Sequence, residues 1–133
     1  MLDETLQMTS SPIAEQPGCF LLTLEGDLDS SNAQEVTKFV QNLSEKEGLM
    51  HLVADFSNLR YINSTGLGTI LRISKMLVGK KGTFKIANPN DNVYEIIEIV
   101  GANKLLEVYP TKEAALSALE ACPIREDDLS PED

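Results

Sequence analysis

The chain has 133 residues, of which 42% are hydrophobic and 5% aromatic, with no tryptophan. That length suits one domain with a single core built mainly from Leu, Ile and Val. The formal net charge is −10, from 21 acidic and 11 basic residues, which disfavours nucleic acid and anionic membranes as partners. It would favour a basic protein surface, although solubility alone also explains it.

The ends and the cysteines exclude several further classes. The longest apolar runs are too short to cross a bilayer, and the polar N-terminus does not resemble a signal peptide. We therefore expect a cytoplasmic protein. Cys19 and Cys122 lie far apart, and His51 is the single histidine, so neither a zinc site nor a disulfide scaffold is indicated. We expect no metal and no cofactor.

Apolar periodicity predicts strands that alternate with helices along the chain. A weak edge strand is expected between Leu6 and Ile13. The predicted strands that follow span 19–25, 49–56, 83–87 and 105–109. The predicted helices span 31–47, 65–78, 91–100 and 111–121, with glycines at 48, 79 and 101 as stop signals.

Each predicted helix has one apolar face that should pack on a sheet. These core positions are Ala33, Val36, Val40, Leu43, Leu67, Ile70, Leu71, Leu77, Val78, Val93, Ile96, Ile97, Val100, Ala115, Leu116 and Leu119. The alternation predicts an α/β fold: one domain over 1–122, with a mixed, mainly parallel sheet of four or five strands flanked by about four helices. Residues 123–133 form an acidic tail that we expect to be disordered.

The segment 61–68 (Tyr-Ile-Asn-Ser-Thr-Gly-Leu-Gly) leaves a predicted strand and enters a helix. Asn63, Ser64 and Thr65 stand at the helix start, where their side chains can cap backbone N–H groups. A hydroxyl there could also accept a phosphoryl group, because a helix N-terminus favours negative charge. Spacing alone leaves both interpretations open, and capping is the simpler one.

Two ordered motifs resemble the STAS family, specifically the bacterial anti-sigma factor antagonists. The segment 55–71 resembles the signature of these proteins, which carries Asp-Ser-Ser/Thr-Gly-Leu-Gly, and the serine after the Asp matches Ser64. The segment 26–29 (Gly-Asp-Leu-Asp) is similar to their Gly-Glu-Leu/Ile-Asp segment. With the order of the later elements, the resemblance covers roughly residues 15–121.

The resemblance implies a non-catalytic partner-switching regulator. The unmodified protein would bind an anti-sigma factor that is also an ATP-bound serine kinase of the histidine-kinase-like (GHKL) type, and so release a sigma factor. Phosphorylation of Ser64 would end binding, and a serine phosphatase would reverse it. Thr65 is the weaker candidate site. The resemblance also implies a monomer before binding.

The implied partner-binding residues come from both motifs. If the two loops lie at one end of the sheet, Asp29 helps to shape the surface around Ser64; otherwise it only satisfies local N–H groups of its turn. The expected surface comprises Asp27, Asp29, Asn63, Ser64, Thr65, Gly66, Leu67 and Gly68. The glycines are expected to let the helix start pack closely against a neighbouring loop or a partner.

One departure from the family keeps an alternative open. Asn63 stands where the family usually has Asp, so a carboxylate is missing beside Ser64. The alternative is a constitutive STAS interaction module, never phosphorylated, in a signalling or transport complex. A remote alternative is a serine hydrolase, which is disfavoured because no leading glycine of a nucleophile elbow is present and because His51, the one candidate base, lies mid-strand.

Overall fold

The computed structural model describes residues 6–13 and 16–121, and the side chains of that range up to Leu119. The expected acidic tail and Cys122 lie outside the described residues. The strands are β1 (Leu6–Pro12), β2 (Cys19–Leu28), β3 (His51–Ile62), β4 (Thr83–Ala87) and β5 (Glu107–Tyr109). The helices are α1 (Ala33–Glu47), α2 (Ser64–Gly79), α3 (Asp91–Ile99) and α4 (Lys112–Ala121), with a 3-10 turn at Ala102–Lys104.

The five strands form one sheet in the order β1-β2-β3-β4-β5. β1 pairs antiparallel with β2, and all the other neighbours are parallel. Each parallel connection therefore needs a crossover helix, which α1, α2 and α3 supply. The predicted α/β fold with a mixed, mainly parallel sheet is confirmed.

The sheet separates two apolar clusters. The larger cluster joins one sheet face to α1, α2 and α3, through residues such as Leu24, Val36 and Ile70. The smaller cluster joins the opposite face to α4, through Val53 and Ala115 among others. Alternate residues of each strand serve the two faces, because successive strand side chains point in opposite directions. The sheet is thus covered by three helices on one side and by α4 on the other.

The prediction that β3 ends at residue 56 is wrong, because the strand continues to Ile62. The exposed Ser57 and Asn58 interrupt the apolar pattern there, while two register shifts keep β3 paired with β2 up to Leu28. β4 pairs with β3 only as far as Asp55. The last part of β3 therefore extends beyond β4, and this extension leads directly to the segment of interest.

Two predicted core residues are exposed instead. Val78 is 59% exposed and Val100 is 54% exposed, although both continue an apolar stripe at helical spacing. Val78 is the last residue but one of α2, and Val100 directly follows α3, so both lie where a helix ends. The predicted strand at 105–109 is also shorter, because the 3-10 turn occupies the chain immediately before Leu105.

Candidate functional site

The ends of β2 and β3 bring the two sequence motifs together. Leu28 pairs with Ile62 at the last position of the ladder. The next amide, that of Asn63, donates a hydrogen bond to the carbonyl oxygen of Leu28 at 3.1 Å. The loop that carries Asp27 and Asp29 therefore lies beside the start of α2, at one end of the sheet.

Asn63 links this loop to the helix. Its Oδ1 accepts a hydrogen bond from the backbone N–H of Gly66 at 2.9 Å, which makes Asn63 the N-cap of α2. Its Nδ2 donates to Ser30 Oγ, 3.3 Å away, in the loop after β2. The capping predicted from the sequence is therefore present, and the same amide also joins the two loops.

Ser64 and Thr65 are the first two residues of α2, and both are exposed. Neither hydroxyl forms a hydrogen bond with any described residue. No acidic residue lies in the first turn of α2, so the partial positive charge of the helix end is not offset within that turn. The hydroxyl of Ser64 is accessible, and its position is one that stabilises a new negative charge.

The next three residues are less exposed than Ser64 and Thr65. Gly66 is buried against Leu28: a Cβ on Gly66 would stand 2.8 Å from Leu28 Cγ and 2.9 Å from the Leu28 carbonyl oxygen. Leu67 is only 2% exposed and belongs to the larger core cluster. Gly68 is half-buried, with Arg72 Nη1 3.8 Å from where its Cβ would be. Gly66 thus provides the close approach of helix and loop, and Leu67 supports the surface from below.

The two aspartates of the first motif have different partners. Asp27 Oδ1 lies 2.8 Å from Nε of the exposed Arg60, and the hydrogen bond and charge of Asp27 raise the pKa of that guanidinium. Asp29 Oδ1 accepts hydrogen bonds from both the N–H and the hydroxyl of Ser31. Asp29 therefore organises its own turn as well as lying near the Ser64 loop.

Sequence reasoning missed Ser30, Asn32 and Arg60. Asn32 is buried, and its amide donates to the Asp27 carbonyl while its Oδ1 accepts from the Asp29 N–H, so it sets the shape of the loop. The serines and Asn32 directly after the Gly-Asp-Leu-Asp segment could have indicated the loop structure, because Ser and Asn side chains form hydrogen bonds with nearby backbone groups. Nothing in the sequence indicates that Arg60 pairs with Asp27.

His51 is remote from Ser64. It is the first residue of β3, a strand of 12 residues, whereas Ser64 follows the end of that strand. At about 3.3 Å per residue, more than about 30 Å separates the two. The His51 ring instead lies 3.0 Å from Thr83 Oγ1 through Nδ1. The single histidine of the chain cannot act as the base for Ser64.

Within residues 6–13 and 16–121, no helix combines the length and apolar character needed to cross a bilayer.

Comparison with known proteins gives consistent matches. An anti-sigma F factor antagonist from Paenibacillus polymyxa is 27% identical over 103 residues, which cover 77% of this chain and 88% of the relative. An anti-sigma-B factor antagonist from Listeria monocytogenes is 26% identical over 83 residues, or 62% of this chain and 72% of the relative. The chain thus spans most of the length of these relatives.

Solved structures share the fold. An anti-sigma factor antagonist from Mycobacterium paratuberculosis superposes with a TM-score of 0.76 at 21% identity, over 86% of this chain and 94% of that one. The Bacillus protein SpoIIAA in its phosphorylated form gives a TM-score of 0.63 at 17% identity, over 86% and 98% of the two chains. The profile of the STAS domain matches residues 10–115. The chain therefore belongs to the STAS domain family.

Proposed function

We propose that this protein is a cytoplasmic, non-enzymatic anti-sigma factor antagonist whose binding to an anti-sigma factor ends when Ser64 is phosphorylated. The observation that carries the proposal is the exposed, unbonded hydroxyl of Ser64 at the first position of α2. The relatives that are named anti-sigma factor antagonists support the role. Phosphorylated SpoIIAA, which has the same fold, supports the modification.

The docking surface would consist of the exposed residues around Ser64. Ser30, Ser64 and Thr65 present hydroxyls, and the carboxylates of Asp27 and Asp29 lie in the adjoining loop. An acidic rim of this kind complements a basic patch on the partner, which would fix the orientation of the complex. Gly66 and Leu67 act beneath this surface by holding α2 against Leu28.

Phosphorylation would act on the interface and leave the fold unchanged. A phosphoserine adds a charge of about −1.5 to −2 and three acceptor oxygens at the helix start. The helix end tolerates that charge, whereas a partner packed on Ser64 meets both an added volume and an unmatched charge beside Asp27 and Asp29. A loss of only about 3 kcal/mol weakens binding roughly a hundredfold.

In this scheme the anti-sigma factor is itself the ATP-dependent serine kinase, and a serine phosphatase restores the hydroxyl. The first experiment is phosphopeptide mapping of the protein recovered from its own cells in growth and in stress. A change in Ser64 occupancy between the two conditions supports the switch. The co-purifying kinase is then titrated by calorimetry against Ser64→Ala, which should bind constitutively, and Ser64→Glu, which should bind at least about a hundredfold more weakly. Equal affinities of the two variants would refute the switch.

Asn63 favours a second candidate function. It keeps the cap of α2 but carries no charge beside Ser64, where the family usually has Asp. A kinase that needs that carboxylate would not modify this chain, and the protein would then be a constitutive interaction module. Absence of phosphate in every condition, with a partner still co-purifying, would favour this candidate over the switch.

A further inference from the structure

The end of the molecule opposite Ser64 has a distinct composition. Between Asp55 and Asp91 the chain holds six of its 11 basic residues and none of its 21 acidic residues. Two of the six are not part of this end: Arg60 pairs with Asp27 beside Ser64, and Lys85 is buried in an ion pair with Glu107. The other four are Arg72, Lys75, Lys80 and Lys81, on or just after the second half of α2. A protein with a net charge of −10 thus has a local group of basic side chains at this end.

The topology places this surface far from Ser64. α2 has 16 residues and is therefore about 24 Å long. α2 begins just after the last residue of β3 and runs back along the sheet to the level of the first residue of β3. The chain that follows α2 is held there, because the N–H of Thr83 donates to the Met50 carbonyl at 3.1 Å. α3 runs the same way, so the 3-10 turn and Leu105 reach the same edge of the sheet before β5 begins.

Exposed apolar side chains collect at this same edge. Five large apolar residues are exposed in the part of the chain that the structure describes, and four of them lie here: Val78, Ile99, Val100 and Leu105. Leu105 is 72% exposed and Val78 59%. Such clusters on a protein surface mark sites of association, because burying them on a partner removes them from water.

A groove of about 550 Å³ joins the apolar and basic residues. It is lined by Leu71, Arg72, Ser74, Lys75, Val78 and Leu105. Positions 71, 74, 75 and 78 follow the i, i+3, i+4, i+7 spacing, so they form a second stripe on α2, beside the stripe that packs on the sheet. Ser74, in the middle of this stripe, is small and buried. A helix partner packs along such a stripe with its own anchors at the same spacing, so the groove can receive an amphipathic helix.

The charges around the groove indicate which kind of partner fits it. Arg72 and Lys75 line the groove, and Lys81 and Lys104 lie at the same end of the molecule. The carboxylates at this end belong to Glu98 in the last turn of α3 and to Glu45 and Glu47 in the last turn of α1, and none of these three lines the groove. Lys80 donates a hydrogen bond to Ser44 Oγ on α1, so its ammonium group is directed away from the groove. We propose that the groove between α2 and Leu105 binds an acidic amphipathic helix of a partner protein. Its apolar side chains would pack on Val78 and Leu105, and a carboxylate would pair with Lys75. The Arg72 guanidinium lies nearer the start of α2, where its Nη2 donates a hydrogen bond to Thr69 Oγ1 at 3.1 Å.

This second surface does not depend on the proposed role of Ser64. It lies at the other end of α2, so the two partners could bind at once. Binding there should therefore be the same for wild-type protein and Ser64→Glu. This separates a failure of the groove proposal from a failure of the phosphorylation switch.

The test uses two synthetic helical peptides and fluorescence anisotropy with the full chain. Both peptides carry leucines at i, i+3, i+4 and i+7; one has glutamates elsewhere and its twin has lysines. We expect the glutamate peptide to bind at least about tenfold more tightly than the lysine peptide, with an affinity that falls as salt screens the charges. Equal binding of the two peptides, or no binding of the glutamate peptide, overturns the proposal.

Matched variants locate the binding. Val78→Gln and Leu105→Gln replace exposed side chains and should not unfold the protein. Each should nevertheless weaken binding of the glutamate peptide by about tenfold, because burying one aliphatic side chain contributes about that much to affinity. Lys75→Gln should weaken the glutamate peptide and flatten its salt dependence. Ile99→Gln is the control, because Ile99 is 73% exposed at the same edge but does not line the groove. If the groove variants behave like Ile99→Gln, the proposal is overturned.

Two other occupants have their own outcomes. If removal of residues 122–133 strengthens binding of the glutamate peptide more than about fivefold, these acidic residues compete for the groove. The assignment to a partner protein is then overturned. If sedimentation shows a dimer of the wild-type chain that Leu105→Gln dissociates, a second copy covers the groove, and the assignment is likewise overturned. If the truncated protein binds the peptide with unchanged affinity and the wild-type chain sediments as a monomer, a separate partner protein is supported.

Discussion

Gly66 lies against Leu28 so closely that a Cβ on the glycine would stand 2.8 Å from Leu28 Cγ. Gly66→Ala should therefore destabilise the protein by about 1–3 kcal/mol, the usual cost of overpacking, despite the better helix propensity of alanine. Urea denaturation measures the difference. Gly68→Ala is the matched control, because its nearest atom would be Arg72 Nη1 at 3.8 Å, and it should be neutral or stabilising. Equal stability of the two variants would contradict this account of the loop contact.

Asn63 stabilises α2 through its side-chain oxygen, so replacing it separates capping from charge. Asn63→Ala should lower the free energy of unfolding by about 1 kcal/mol, because the Gly66 N–H loses its acceptor. Asn63→Asp keeps that acceptor and adds a negative charge at the helix N-terminus, so it should be at least as stable as the wild type at neutral pH. Thermal and urea unfolding of the three proteins test the order. An alanine variant as stable as the wild type would show that the cap contributes nothing.

Ser64→Glu should retain the stability of the wild type, within about 0.5 kcal/mol, because the first turn of a helix favours a negative side chain. Circular dichroism and denaturant unfolding provide the measurement. Ser64→Lys is the matched control, since the opposite charge at the same exposed position should be the less stable of the two. If Ser64→Glu unfolds the domain, loss of partner binding would reflect loss of the fold and could not be assigned to the interface.

Lys85 and Glu107 form an ion pair whose two members are unequally buried. Lys85 is 3% exposed and Glu107 is 57% exposed, with Lys85 Nζ 2.6 Å from Glu107 Oε1. Glu107→Ala should destabilise the protein by about 1–3 kcal/mol, because it leaves a buried ammonium group with no carboxylate partner. Lys85→Met should be neutral or stabilising, since it removes the buried charge itself. The opposite order in urea denaturation would contradict this assignment.

The same pair predicts a dependence on pH. Partial burial raises the pKa of the Glu107 carboxyl, but hydrogen bonds from Lys85 and Tyr109 and the charge of Lys85 outweigh it, so the pKa lies below its ordinary value. A pKa lowered by folding contributes stability above the unfolded-state pKa of about 4.3, and this is lost as the pH falls through the folded-state pKa. The stability difference between wild type and Glu107→Gln should therefore be largest near neutral pH and shrink below about pH 4. A difference that does not change with pH would exclude this origin.

The elements that the sequence predicted well are those with strong periodicity and clear stop signals. β4 was predicted at its observed bounds, and α1 ends at Gly48, whose φ of 70° lies in the left-handed region that glycine tolerates. The extension of β3 was missed because Ser57 and Asn58 are exposed, although the backbone there still pairs with β2. Backbone pairing across a register shift leaves no periodic pattern in the sequence.

The candidate site was predictable in its parts but not in its connections. Asn63 as a cap and the proximity of the two loops follow from local chemistry and strand order. The hydrogen bond from Asn63 to Ser30 and the ion pair between Arg60 and Asp27 join residues 33 positions apart, so only the folded chain determines them. The groove was hidden for a different reason, since Val78 fits the apolar period of α2 and was assigned to the core.

The extension of β3 beyond β4 also affects how the Ser64 end of the molecule moves. There β3 has a strand neighbour on one side only, and on the other side the side-chain amide of Asn90 donates to the Leu59 carbonyl at 3.1 Å. The same residue caps α3 by accepting from the Val93 N–H at 2.7 Å. On that side a side-chain hydrogen bond stands in for the pairing with a neighbouring strand. Local opening should require less free energy here than in the centre of the sheet, so backbone amides around Ser64 should exchange with solvent sooner. A kinase that must draw Ser64 into its active site would then act on a part of the sheet that opens more easily than its centre.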